Sequence, residues 1–142
     1  KYVARLFPDL TLDPTFDPGV GANSTITQIQ PAPNGGVYIF GNFTSVSGVT
    51  RRDIARLTST GALDASFDTG TDWTFARGIL SQADGKLVVF GNFQTFFGAP
   101  RDYLARLKLD GSVDGSFVGQ PNGRLDTAAL QNDGRLLLAG SF

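Results

Sequence analysis

The tripeptide Ala-Arg-Leu stands at residues 4–6, returns at 55–57, and returns again at 105–107. A short acidic-aromatic signature follows each copy: LDPTF at 12–16, LDASF at 63–67 and VDGSF at 113–117. A turn pair comes next, Asn34-Gly35, Asp84-Gly85 and Asp133-Gly134. The register then closes on GNF at 41–43, GNF at 91–93 and GSF at 140–142. Four landmarks in one order and at nearly one spacing make a tandem array, about 2.8 units of roughly fifty residues each. Whatever this chain folds into, each unit must end its strands and dock on the next in the same way.

Within the first complete period, strand candidates fall near 26–31, 36–42, 53–58 and 63–67, with Gly, Pro, Asn and Asp between them. Asn-Gly or Asp-Gly between two apolar runs signals a hairpin, because a type I′ turn needs φ > 0 at two residues. ITQIQPAPNGGVYIFG and GILSQADGKLVVFG therefore read as hairpins. KLVVFG at 86–91 and RLLLAG at 135–140 are almost wholly apolar, as expected of strands buried on both faces. No helical periodicity of useful length occurs, so the class is all-β. Four antiparallel strands per unit and this period point to β-propeller blades, because solenoid rungs of the leucine-rich type run to only about 20–29 residues. A β-sandwich would explain the strand spacing but not the internal identity. The array divides into a partial first unit at 1–43, a second at 44–93 and a third at 94–142. Propellers close with about four to eight blades. The expected partners are therefore further repeats of the same protein or copies of the same chain, and the chain reads as a piece of something longer.

ARLTSTGALDASFDTG, DGKLVVFGNF and RDYLARLKLDGSVDGSF resemble the bacterial delta-60 repeat, a β-propeller module of large exported proteins. The Rax2-like family of fungal cell-surface proteins has a similar Gly-Asn-Phe landmark. The resemblance spans essentially the whole chain, with Gln30, Pro31 and Pro33 as departures in the first pass. It implies an extracellular or cell-surface scaffold, structural or adhesive, with no catalytic residues to carry over.

Composition narrows the chemistry from the other side. The chain has no Cys, no His and no Met. Thiolate nucleophiles, Cys/His zinc sites and His-based proton relays are thereby excluded. The net charge is −1 and no run of like charge exceeds Arg51-Arg52, so no basic stripe is present to hold nucleic acid. No stretch approaches the roughly eighteen apolar residues of a membrane-spanning helix. Asp9, Asp13 and Asp17 recur at four-residue intervals, which does not match a calcium-wrapping loop. Neither a metal nor a cofactor is expected. Two carboxylates alone can cleave a glycosidic bond, but the acids here are mostly repeat landmarks, so no enzyme is expected.

Residues that recur once per repeat suit a scaffold, since a single active site needs its residues once. Arg5, Arg56 and Arg106 share one position, and Asp13, Asp64 and Asp114 share another. They are expected to form an Arg–carboxylate clasp, within a blade or between blades. Phe16, Phe67 and Phe117, with Phe43, Phe93 and Phe142, are expected to fill interfaces between blades. Recognition is expected where the units differ. Trp73, Phe75 and Arg77 have no counterpart in the first unit, and Phe96 and Phe97 replace Val46 and Ser47. Arg101 and Tyr103 lie in the loop before the third Ala-Arg-Leu. Aromatics with Arg on loops are the chemistry of protein or sugar recognition. A glycan-binding propeller is the competing function, with Trp73 as its stacking residue.

Overall fold

The computed structural model describes residues 3–72 and 74–142. It comprises two compact units, the first ending at Phe67 and the second running from Asp68 to Phe142. Division after the acidic-aromatic signature, rather than after Gly-Asn-Phe, keeps each Ala-Arg-Leu strand with the hairpin on which it pairs.

The first unit carries β1 (Ile26–Pro31), β2 (Val37–Gly41), β3 (Ser45–Val46), β4 (Val49–Thr50) and β5 (Ile54–Leu57). The sheet order is β1-β2-β5, antiparallel throughout, with Ile39 opposite Ile29 on one side and Ala55 on the other. The second unit repeats this plan with β6 (Ala76–Ser81), β7 (Leu87–Gly91), β8 (Thr95–Phe96), β9 (Ala99–Pro100) and β10 (Leu104–Leu107). It then adds the hairpin β11 (Arg124–Leu130) and β12 (Leu136–Ser141). The only helical element among the described residues is one 3-10 turn at Pro33–Gly35. The chain is all-β, and its blades are those of a partial β-propeller.

The fourth strand is shorter than the sequence suggests. In place of a strand over 63–67 there is a single bridge, Leu57 to Leu63, matched by Leu6 to Leu12 and Leu107 to Val113. The aspartate that follows each bridge ends the extended chain by drawing the backbone N–H two residues on to its own carboxylate, Ser66 to Asp64 at 3.0 Å for example. A short hairpin that the landmarks did not reveal lies between the second and third strands, β3-β4 in one unit and β8-β9 in the other. Its two-residue turns, Ser47-Gly48 and Phe97-Gly98, have positive φ at both positions.

The turn-pair hairpins form in all three repeats, but only Asn34-Gly35 has both residues left-handed. At Asp84-Gly85 and Asp133-Gly134 the glycine alone has positive φ. The aspartate carboxylates there accept the N–H of Lys86 and Arg135, which closes three-residue loops instead.

β7 is buried along its whole length between β6 and β10, as its apolar run requires. β12 reads almost as apolar yet alternates between half-buried and exposed. The expectation of burial on both faces fails there because, among the described residues, β12 pairs with β11 alone. Phe142 is exposed for the same reason, whereas Phe43 and Phe93 are buried. The first unit's core gathers Phe16, Ile39, Phe43, Val46, Ala55 and Leu57. In the second unit Val88, Phe90, Leu104 and Leu125 pack together, with Leu136 and Leu138 against them.

Candidate functional site

The repeated Arg and Asp meet in every unit. In β5 and β10 the Arg lies between buried Ala and Leu on the opposite face, whereas Ala4 and Leu6 beside Arg5 are exposed; in all three repeats the chain returns eight residues later with the Asp. Arg5 Nε donates to Asp13 Oδ2 at 2.7 Å, Arg56 Nε to Asp64 Oδ2 at 2.8 Å, and Arg106 Nε to Asp114 Oδ2 at 3.0 Å. Each guanidinium also lies over the signature phenylalanine, 5.0 Å from the Phe16 centroid, 5.0 Å from Phe67 and 4.5 Å from Phe117. The second carboxylate oxygen accepts the hydroxyl of Thr15, Ser66 or Ser116 at 2.6–2.7 Å.

These contacts tune the acids in one direction. The Thr15 hydroxyl holds the Asp13 carboxyl below the ordinary carboxylate range; burial opposes this, and Arg5 adds to it. At Asp64 burial raises the pKa, but the Ser66 hydroxyl and backbone N–H, with Arg56, outweigh it. Asp114 is pushed down furthest, first by Ser116 and then by Arg106. Ionised acids locked to an adjacent Arg and to their own turn are built to stay charged, not to exchange protons. Asp9 and Asp17 cap their own turns, accepting the backbone N–H of Thr11 and Gly19. Among the described residues no group of three acids is placed to hold a metal ion.

Consecutive repeats are linked through backbone. Asp17 N–H donates to the Thr60 carbonyl at 2.8 Å, and Asp68 N–H to that of Asp110 at 2.9 Å. Gly61 and Gly111 make this approach possible. A Cβ at Gly61 would lie 2.8 Å from the Asp17 carbonyl carbon, and one at Gly111 2.5 Å from the Asp68 oxygen. Both glycines also have positive φ. In the first repeat the same place is taken by Leu10, with φ of 68°.

The divergent residues fall into two groups. Phe75 is 72% exposed beside the start of β6. Arg77 is the extra residue of a β-bulge, between Ala76, which pairs with Gly91, and Gly78, which pairs with Phe90. Bulges re-aim a side chain, and Arg77 Nη1 here reaches Asp126 Oδ1 at 3.4 Å. Asp126 is itself the bulged residue of β11, and Arg124 Nε contacts it at 3.0 Å. Asp126 was missed from the sequence because a bulge has no residue signature of its own. The nearest clue was Gly41, Gly91 and Gly140, whose missing side chains admit the carbonyls of Thr25, Phe75 and Arg124.

The second group surrounds β8 and β9. Phe96 is wholly buried, tilted against Phe93 and edge-on to Phe97, so it is a packing residue and not a contact surface. Phe97 is half-buried at φ of 45°, and Tyr103 is half-buried at φ of 62°. Arg101 Nη1 bonds the Pro100 carbonyl at 2.6 Å, as Arg51 Nη1 bonds that of Thr50 at 2.8 Å, which makes Arg101 a repeat position. Trp73 lies outside the described residues.

A family model matches residues 1–16, 32–67 and 82–117, together more than half of the chain, and each matched segment ends on the signature phenylalanine. No curated protein and no solved structure gives a match. The bulged residues Arg77 and Asp126 lie between or beyond the matched segments, whereas all three clasps lie inside them. The clasp lies inside every matched segment, the bulge recurs at Thr27, Arg77 and Asp126 with a different residue each time, and the chain belongs to the beta-propeller family described as a domain of unknown function (DUF5122).

Proposed function

We propose that this chain is a non-catalytic repeat scaffold of the delta-60 type, part of an exported or cell-surface protein of bacterial origin. Its role is structural or adhesive, with a protein partner recognised by the divergent loops of the second repeat. The observation that carries this reading is the pair Phe97 and Tyr103. Both are bulky aromatics in the left-handed region, at places where the first repeat has Ser47 (φ of 50°) and Asp53 (φ of 61°). Aspartate tolerates that conformation; Tyr and Phe are strained in it, and such strain concentrates where a surface is built for contact rather than for stability. Tyr103 packs in part on the Val88, Phe90, Leu104 and Leu125 cluster and Phe97 on Phe96, and both residues keep part of their surface open to solvent.

The test is to give the second repeat the first repeat's residues, Phe97→Ser with Tyr103→Asp. The expected result is a thermal midpoint equal to or above that of the parent chain, because strain is relieved. A loss of stability above about 1 kcal/mol would assign both aromatics to packing and remove the support for a contact surface. A glycan array probed with the parent chain and the double variant decides the ligand class. Sugar binding lost in the variant would replace the protein partner by a glycan.

A further inference from the structure

The hairpin turns of the second and third repeats share a glutamine two residues before the aspartate, in Gln82-Ala83-Asp84-Gly85 and Gln131-Asn132-Asp133-Gly134. The first repeat has Ala32-Pro33-Asn34-Gly35 there, without glutamine. Between the two glutamine-bearing turns lies a cleft of about 560 Å³, lined by residues 82–84 and 130–134. That volume falls within the range of about 300–1,000 Å³ usual for small-molecule sites. No residue of β12 contributes to the lining.

The polar groups of the cleft are mostly carboxamides. Gln131 and Asn132 are exposed, and their amides make no hydrogen bond among the described residues. The Gln82 amide oxygen is buried and has no partner. A ligand donor would supply one once that side chain turns into the cleft. The two acids bring little net charge. Asp84 Oδ2 is 3.5 Å from Lys86 Nζ, and Asp133 Oδ2 is 3.1 Å from Arg135 Nη1. Lys86 also reaches Asp114, which Arg106 already holds. A cation therefore finds both carboxylates compensated, and an anion meets two negative groups. An apolar ligand would strip water from the amides with nothing in return. A sugar hydroxyl both donates and accepts, as a carboxamide does, and it can donate to a carboxylate without carrying charge. Ala83 and Leu130 complete the lining with apolar surface for the C–H face of a ring.

We propose that this cleft is a binding site for a neutral saccharide, with Gln82, Gln131 and Asn132 bonding its hydroxyls and Asp84 and Asp133 accepting from them. The site shares no residue with the surface around Phe97 and Tyr103, so it stands or falls apart from the protein partner proposed there.

The experiment probes a printed array of neutral, uronate-bearing and sulfated glycans with the labelled chain. The strongest neutral hit is then titrated as free oligosaccharide and followed by NMR. Saturable binding is expected, with the side-chain NH₂ signals of Gln82, Gln131 and Asn132 shifting, while that of Asn23, already bonded to Thr44, stays in place. Gln131→Ala combined with Asn132→Ala should weaken binding at least about tenfold. Both residues are exposed, so this variant should keep the parent's melting curve. Phe97→Ser with Tyr103→Asp should leave the affinity unchanged. Absence of saturable binding to every neutral glycan overturns the proposal, as does equal affinity of the Gln131→Ala, Asn132→Ala chain. A preference for uronate-bearing or sulfated glycans overturns the neutral class. Sugar binding lost only with Phe97→Ser and Tyr103→Asp would place the sugar on that other surface and overturn the cleft.

Discussion

β7 and β12 occupy the same place in consecutive repeats and read almost alike, Leu-Val-Val-Phe-Gly against Leu-Leu-Leu-Ala-Gly. One is buried at every residue and the other at none. The difference is not in their side chains but in their neighbours, since β7 has β6 and β10 and β12 has β11 alone among the described residues. An apolar run permits burial, and a third strand performs it. Each large aliphatic side chain covered in that way contributes about 1.5–3 kcal/mol. Among the described residues that burial is found in the two three-stranded sheets.

The comparison is broken most directly at the phenylalanine that follows each of these strands. Phe93→Ala should cost about 3–5 kcal/mol in urea unfolding, because the ring is buried against Phe96. Phe142→Ala should stay within about 0.5 kcal/mol, as for an ordinary surface change. Equal costs would mean that β12 is covered in solution and that the two regions do not differ. The clasp gives a smaller effect. Arg56→Lys keeps the charge but loses the fork that reaches both Asp64 and Ser66, at a cost of about 1.5–3 kcal/mol. Arg5→Lys should cost less, since the Arg5 side chain is far more open than that of Arg56. An Arg5 variant as unstable as the Arg56 one would show that exposure does not grade the clasps.

Acid is the gentlest probe, because it removes no atom. With no histidine in the chain, no side chain is set to titrate near neutrality. Asp13, Asp64 and Asp114 are depressed in the folded state. Their stabilisation is therefore complete above the unfolded value of about 3.9 and is lost as pH falls from there toward the folded values. The urea midpoint should be level from about pH 8 to about pH 5 and should fall below about pH 4. Replacing Asp114 by Asn should flatten that fall. A midpoint already declining between about pH 8 and pH 6 would show that some other group governs stability.

Much of this was legible in the residues. Alternation, turn pairs and the recurrence of Ala-Arg-Leu placed the three sheet strands of the first unit within a residue or two. The recurrence of Arg and Asp once per repeat foretold that the two would meet, but not whether within a blade or between blades, which the structure decided. What could not be read were features that depend on backbone conformation rather than residue type. Ser47-Gly48 carries a recognisable turn signal, but Phe97-Gly98 hides the same turn behind an aromatic. The bulges at Thr27, Arg77 and Asp126 were signalled by Gly41, Gly91 and Gly140 opposite them, whereas no residue announces the left-handed Tyr103.

The sequence by itself determined the class, the repeat and the clasp, because periodicity and short-range spacing act within one unit. Tertiary structure decided which of several similar-looking residues are buried and which aromatics take the left-handed conformation. Those outcomes depend on contacts between segments far apart in the chain, and a local pattern cannot count its own neighbours.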